Sequence, residues 1–313
     1  MKKIQLLVII LLLAAAAVSA QTAQQHLEQG NQFYKNKQYP QAIASFSSSI
    51  KLAPTASTPW FNRGQAHFYS GNTSQAIADY SQAITLSPNN LDALFQRGLA
   101  KNKVKDHVGA IADYTRGITL SPNDSGFYYN RGIAYSDKGD LDPALSDFNQ
   151  AIKINPQYMK AYINRGSVYY KKKQYDLALV DTNTAIGLDP TNLEYYSNRG
   201  LIYTAQAKYD LAIADQTKVI AFDPSYKKAY LDRGIVYNKK KMNDNAIADL
   251  TQAVRIDPQY MGAYLMRGAI YFDTKRYDLA KADMEKVLQI RPGQKLATDT
   301  LARIAALPKT PSN

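Results

Sequence analysis

The chain has no cysteine. Disulfide staples, thiolate zinc sites, iron–sulfur clusters and a cysteine nucleophile are therefore excluded. Three His among 313 residues leave little material for metal or acid–base chemistry built on imidazole. Long apolar runs are also missing. The longest, Leu6 to Val18, has 13 residues, against the roughly 20 that a bilayer-spanning helix needs. It follows Lys2 and Lys3 and leads into the small residues Val18-Ser19-Ala20, which is the layout of a secretory signal peptide cut before Gln21. The expectation is a cleaved segment 1–20, with an uncleaved membrane anchor as the alternative, and an exported chain, periplasmic or secreted and bacterial, that does not span the membrane after cleavage. Export without cysteine argues against a disulfide-dependent eukaryotic secreted domain.

What is present is a sizeable apolar fraction, 45%, which excludes wholesale disorder, together with 24 Tyr and a net charge of +12. Length alone suggests about two ordinary domains. Self-similarity overrides that expectation. Gly30, Gly64, Gly98, Gly132, Gly166, Gly200, Gly234 and Gly268 stand 34 residues apart without interruption. Ala42, Ala76, Ala110, Ala144, Ala178, Ala212, Ala246 and Ala280 keep the same period, as do the prolines from Pro54 to Pro292. Eight repeats follow: 23–56, 57–90, 91–124, 125–158, 159–192, 193–226, 227–260 and 261–294.

Within each repeat, aromatics four before the Gly (Trp60, Tyr128, Tyr162, Tyr196, Tyr230, Tyr264) and three after it (Phe33, Tyr135, Tyr169, Tyr203, Tyr237, Tyr271) share one helix face. The second half has the same spacing. Asp142, Asp176, Asp210, Asp244 and Asp278 open it, placed to cap or charge-complement a helix start, and proline closes it. Each repeat is thus a pair of antiparallel helices in which Gly and Ala allow close backbone approach. Residues 295–307, with Leu296, Ile304 and Leu307, are expected to form a helix covering the last repeat, and 308–313 a mobile tail.

This aromatic, Gly, aromatic, Ala, aromatic, Pro pattern resembles the tetratricopeptide repeat. The resemblance implies an all-α fold, a right-handed α-solenoid of eight helix-turn-helix repeats plus a carboxyl-terminal capping helix. One departure recurs. Arg63, Arg97, Arg131, Arg165, Arg199, Arg233 and Arg267 stand where the family often has Leu, and in the same seven repeats an Asp follows sixteen residues later, from Asp79 to Asp283. The first repeat has neither, carrying Gln29 and Ser45, so the pairs are expected to close within a repeat and set helix register.

The three His fall in packing slots: His26 and His67 in the two aromatic positions, His107 where other repeats carry Tyr39, Tyr175, Tyr209 and Tyr277. No phosphate-binding loop, nucleophile elbow or metalloprotease motif occurs. The chain is expected to be non-enzymatic, with no cofactor and no metal.

Function is expected in binding. By family resemblance, the first helices line a concave groove that receives a segment of a partner protein. Two positions before each Gly stand Asn62, Gln96, Asn130, Asn164 and Asn198, a row of carboxamides able to bond a peptide backbone, or to bridge neighbouring helices. Beside them the groove is expected to show Tyr34, Phe61, Phe68, Tyr69, Phe95, Tyr129 and Tyr170, unless some of these pack between repeats. The slots with which one family sub-type clamps a chaperone's terminal carboxylate hold Leu27, Asn31, Asn62, Asp92 and Gln96 here, so that ligand is not expected.

The positive charge collects in the turn inside each repeat, with Lys171, Lys172, Lys173, Lys239, Lys240 and Lys241 as its densest clusters. This basic edge either keeps the surface soluble or contacts an anionic envelope glycan or lipid. Nucleic acid is disfavoured by export. The leading expectation is an exported scaffold for envelope complex assembly that binds a peptide of a partner protein. A glycan- or lipid-binding module is the alternative.

Overall fold

The computed structural model describes residues 21–307, so the expected signal segment 1–20 and the tail 308–313 lie outside it. All regular structure among the described residues is helical. The chain divides into two compact units, Met1–Asn164 and Arg165–Asn313. The first holds α1 (21–35), α2 (Tyr39–Leu52), α3 (Ser57–Tyr69), α4 (Thr73–Leu86), α5 (Leu91–Lys103), α6 (His107–Leu120), α7 (Ser125–Lys138) and α8 (Leu141–Ile154). The boundary falls inside α9 (Met159–Lys171). The second holds α10 (Tyr175–Leu188), α11 (Leu193–Ala205), α12 (Tyr209–Phe222), α13 (Lys227–Lys239), α14 (Asn243–Ile256), α15 (Met261–Asp273), α16 (Tyr277–Ile290) and α17 (Lys295–Ala305). Odd and even helices pair as the hairpin of one repeat, and successive hairpins pack on one another within each unit, the α-solenoid arrangement expected from the period.

Chain chemistry sets both kinds of turn. Inside each repeat the first helix ends in a left-handed residue, at Lys37, Gly71, Lys105, Gly139, Lys173, Ala207, Lys241 and Lys275. Glycine adopts this conformation at no steric cost, whereas an L side chain does not. Between repeats the second helix stops two residues before the periodic proline, which forces an extended pre-proline residue such as Asp223 (φ −133°, ψ 91°). Asp189 and Asp223 then accept bonds from Thr191 and Ser225, which hold both carboxyls below the usual range. Asp142, Asp176, Asp210, Asp244 and Asp278 lie in the first turn rather than at the cap, so they complement the dipole without capping.

The core follows the same period. The eight Ala from Ala42 to Ala280 are fully buried. The periodic Gly admits a side chain from the paired helix, and its identity divides the units. In the first unit it is aromatic: Phe46, Tyr80, Tyr114 and Phe148. A Cβ on Gly30 or Gly98 would stand 2.5 Å from the ring of Phe46 or Tyr114. In the second unit the same slot holds Thr182, Gln216, Leu250 and Met284, and a Cβ on Gly166 would meet nothing closer than Asp181 Cβ at 3.3 Å. Helix α17 covers Met284 and Val287 of α16 through Ala297 and Leu301, with Thr300 also buried, whereas Leu296 is exposed.

All seven Arg–Asp pairs close within their own repeat. Arg63 Nε and Nη2 donate to Asp79 Oδ2 and Oδ1 at 2.8 and 2.7 Å, and the same fork recurs from Arg97–Asp113 to Arg267–Asp283. A third bond reaches back one repeat. Nη1 of Arg63, Arg97, Arg131, Arg199, Arg233 and Arg267 donates to Ser47, Ser81, Thr115, Asn183, Thr217 and Thr251. The two periodic tyrosines flank the guanidinium: Tyr196 and Tyr203 lie 5.5 and 5.8 Å from Arg199, and Tyr264 and Tyr271 lie 5.5 and 5.9 Å from Arg267. These bonds push the Arg131, Arg199, Arg233 and Arg267 groups above their ordinary value, chiefly through the Asp hydrogen bond.

Three stability outcomes follow, all checked by urea denaturation of the full chain. Gly98→Ala must displace the Tyr114 ring and is expected to cost about 1–3 kcal/mol. Gly187→Ala, with nothing within 4 Å of the added methyl, is expected to gain about 0.5–1 kcal/mol. Lys241→Gly, at a φ of 64°, is expected to stabilise the chain by about 1 kcal/mol; destabilisation would show that the lysine side chain has a compensating contact.

Candidate binding surfaces

The carboxamide row lies on the first helices of successive repeats. Its members are half-buried and unequally engaged. Asn62 Nδ2 donates to Asn31 Oδ1 at 2.8 Å, bridging α3 to α1. Asn130 Nδ2 donates to Gly126 O in its own helix, and Asn164 Nδ2 donates to Tyr129 Oη and to Lys160 O. Among the described residues, Gln96 and Asn198 make no side-chain hydrogen bond. The row therefore includes helix bridges as well as open amides. Donation by Asn62 and Asn130 leaves their carbonyl oxygens as acceptors.

The aromatic residues proposed for the groove divide similarly. Phe61 packs on Tyr80 (5.8 Å between ring centres), Phe95 on Tyr114 and Phe127 (6.0 and 5.4 Å), and Tyr129 on Phe148 and Tyr158 (6.0 and 4.7 Å). These rings bury one face between helices. Tyr34, Phe68 and Tyr69 instead gather near the turns of the first two repeats, where Tyr34 and Tyr69 also meet Tyr39. Burial, with Tyr69 and Tyr39 close by, pushes the Tyr34 phenol up to about 12. Tyr170 is exposed and packs against Tyr175 at 5.5 Å.

Sequence reading missed Asp232, which takes the place of the next amide in the row. It is 7% exposed and accepts Lys228 Nζ at 2.7 Å, while Lys228 also donates to Ser197 Oγ at 3.1 Å. Burial pushes its carboxyl above the usual range, opposed by Lys228 and Ser197. The period itself was the available signal, since a carboxylate stands where five repeats carry an amide.

On the basic edge, Lys173 and Lys241 occupy the left-handed turn position, and Lys171 and Lys239 are exposed. Lys172 is half-buried. Lys240 pairs with Asp210 of the preceding repeat, Arg276 with Asp244 at 3.0 Å, and Gln206 donates to Asp176 at 2.8 Å. First-turn carboxylates therefore reach the same edge and neutralise part of it in the second unit. No group of three or more His, Asp or Glu able to hold a metal occurs among the described residues, and no described helix is long and apolar enough to cross a membrane.

Family models of the tetratricopeptide repeat match residues 127–158, 160–192, 193–226, 227–260 and 262–294, and a TPR repeat model matches 64–103. The chain belongs to the tetratricopeptide repeat (TPR) family. Solved TPR structures share its fold. One is a TPR protein from Parabacteroides merdae, with TM-score 0.66 at 18% identity, covering 80% of this chain and 98% of its own. Another is the carboxyl-terminal part of a TPR repeat-containing protein from Cytophaga hutchinsonii, with TM-score 0.60 at 18% identity, covering 77% and 99%. A third is MamA from Desulfovibrio magneticus RS-1, with TM-score 0.53 at 18% identity, covering 55% and 97%. These likenesses show the fold alone. No curated protein matches the sequence. TPR arrays are protein-interaction scaffolds, and this chain is one of them by its repeats.

Asp232 yields a pH prediction with a definite sign. A carboxyl whose folded value lies above its unfolded value binds more protons when folded, so its contribution to stability falls as pH rises through that window. Asp232→Asn is expected to raise the urea midpoint at pH 7, with the gain shrinking as pH is lowered toward about 4. A gain independent of pH would show that the carboxyl is not the cause.

Proposed function

We propose that this TPR array is an exported, non-enzymatic scaffold that holds a peptide segment of a partner protein along the first helices of its repeats, during assembly of a cell-envelope complex. The observation that carries the reading is the amide row at 34-residue spacing, in which, among the described residues, Gln96 and Asn198 have no side-chain partner and Asn62 and Asn130 keep an open acceptor. An extended peptide presents a donor and an acceptor per residue, and each open amide can match one such unit. Half-buried rings beside the row, such as Phe95 and Tyr129, offer apolar surface to the side chains between those bonds. Export rests on Lys2, Lys3, the apolar run Leu6 to Val18 and the small residues before Gln21.

Twelve-residue peptides selected from a random library on the wild-type protein test the groove. A neutral hydrogen bond contributes about 1 kcal/mol, so Gln96→Ala combined with Asn130→Ala is expected to weaken a peptide selected on the first unit by about tenfold or more, with helicity unchanged. Unaltered affinity in the double variant would remove the amides from the site. Amino-terminal sequencing of the protein recovered from its native cells is expected to begin at Gln21, and a chain beginning at Met1 would count against export by cleavage.

A further inference from the structure

The basic edge is not uniform. In the second unit, Lys240 and Arg276 are matched by Asp210 and Asp244 from the second helix of the preceding repeat. The first three repeats lack that carboxylate: Pro40, Ser74 and Val108 occupy the phase that later holds Asp142 to Asp278. Their turns carry Lys35, Lys37, Lys103 and Lys105, all exposed, and none has a carboxylate partner among the described residues. The acid nearest in sequence, Asp106, accepts the Gly109 N–H at 2.9 Å and so caps α6.

These turns also hold much of the exposed apolar surface of the first unit. Tyr69 is 54% exposed, Val104 48% and Val108 66%. The surface is continuous across the turns. Tyr34 and Tyr39 contact Tyr69, Tyr69 contacts Phe68, and Lys103 Nζ lies 4.7 Å above the Phe68 ring. Lys37 and Lys105 hold left-handed backbone (φ 59° and 66°) where the second repeat has Gly71, so each keeps its ammonium at a position that favours glycine.

From this juxtaposition we propose that the turns of the first three repeats dock on an anionic phospholipid surface. Tyrosine rings and valines enter the headgroup boundary while the lysine stems carry their ammonium groups to the phosphates. An acidic peptide fits less well, because the patch is built of helix turns, with no open strand for backbone pairing among the described residues. The patch shares no residue with the amide row, so different substitutions test docking and peptide capture.

The absence of cysteine allows a site-specific test on the full chain. Ser70→Cys, within the patch, and Asn89→Cys, in the exposed turn between α4 and α5, are each labelled with an environment-sensitive fluorophore. Vesicles of phosphatidylcholine containing about one-third phosphatidylglycerol are expected to blue-shift the label at position 70 and not at 89, and pure phosphatidylcholine neither. Each lysine near an anionic surface is worth about fivefold in partitioning, so Lys35, Lys37, Lys103 and Lys105 together replaced by Gln should raise the lipid needed several hundredfold. Residues 1–20 are common to every variant and cannot produce these differences. An equal shift at both positions, no shift at 70, unchanged lipid demand in the quadruple variant, or a shift with soluble heparin but not with vesicles would each overturn the proposal.

Discussion

A guanidinium held in a fork by a buried carboxylate of its own repeat, tied to a hydroxyl or amide of the repeat before it and from the fourth repeat on flanked by tyrosine, is the interaction on which this array depends. The fork locks the first helix of a hairpin to its second at a fixed height, because both Asp oxygens must be met at once. The third donor then fixes the distance to the preceding hairpin. One side chain thus sets register in two directions. The Asp side chains are 2–10% exposed, so the pairs are shielded from solvent and salt. Removing either partner would leave a charge that the site cannot hydrate. The absence of insertions over eight repeats follows, since a one-residue shift would break both the fork and the backward bond.

The same clamp accounts for the tyrosine excess. Rings four before and three after the periodic Gly lie on one helix face for packing, and that face is also where the guanidinium needs polarisable walls. With register fixed by the clamp, the slot under the glycine is free to vary. The first unit fills it with rings that continue into Phe61, Phe95 and Phe127; the second uses Leu250 and Met284 beside Val254 and Ile270. The division at residue 164 therefore coincides with a change from aromatic to mainly aliphatic and polar filling, without any break in the 34-residue period.

Helix pairs, their boundaries and the Arg–Asp partners were legible in the sequence because each repeats eight or seven times, and the atypical first repeat, lacking both Arg and Asp, showed that the pair closes within a repeat. The backward bond was also written there, as Ser47, Ser81, Thr115, Asn183, Thr217 and Thr251, yet small polar residues on a helix look like solvated surface until a donor is placed against them. Bridging by the amide row was anticipated as an alternative, but that Asn62 and Asn164 are the members that bridge was not legible, because it depends on Asn31 and Tyr129 of the preceding repeat lying within bonding reach. Nor was Asp232, whose burial depends on how α13 meets α11 and α15. The face of α17 was misassigned for a related reason: amphipathic spacing favours Leu296, but Ala297 and Leu301 point at Met284 and Val287.

Charge counted along the sequence placed the basic edge most strongly at the two lysine triplets, and three dimensions redistribute it. An Asp in the first turn of a second helix is favoured there by the dipole of that helix, whatever lies across from it. Stacking then brings Asp210 and Asp244 opposite Lys240 and Arg276, so the local density of lysine overstates the field of the second unit. Where the first-turn residue is Pro40, Ser74 or Val108, no such cancellation arises, and all four turn lysines stay without a carboxylate partner among the described residues. Gly71 and Gly139 show that the turn accepts glycine, yet Lys37 and Lys105 in the first unit and Lys173, Ala207, Lys241 and Lys275 in the second hold the same conformation. Left-handed backbone is thus common to both units, and what sets the first three repeats apart is the missing first-turn carboxylate.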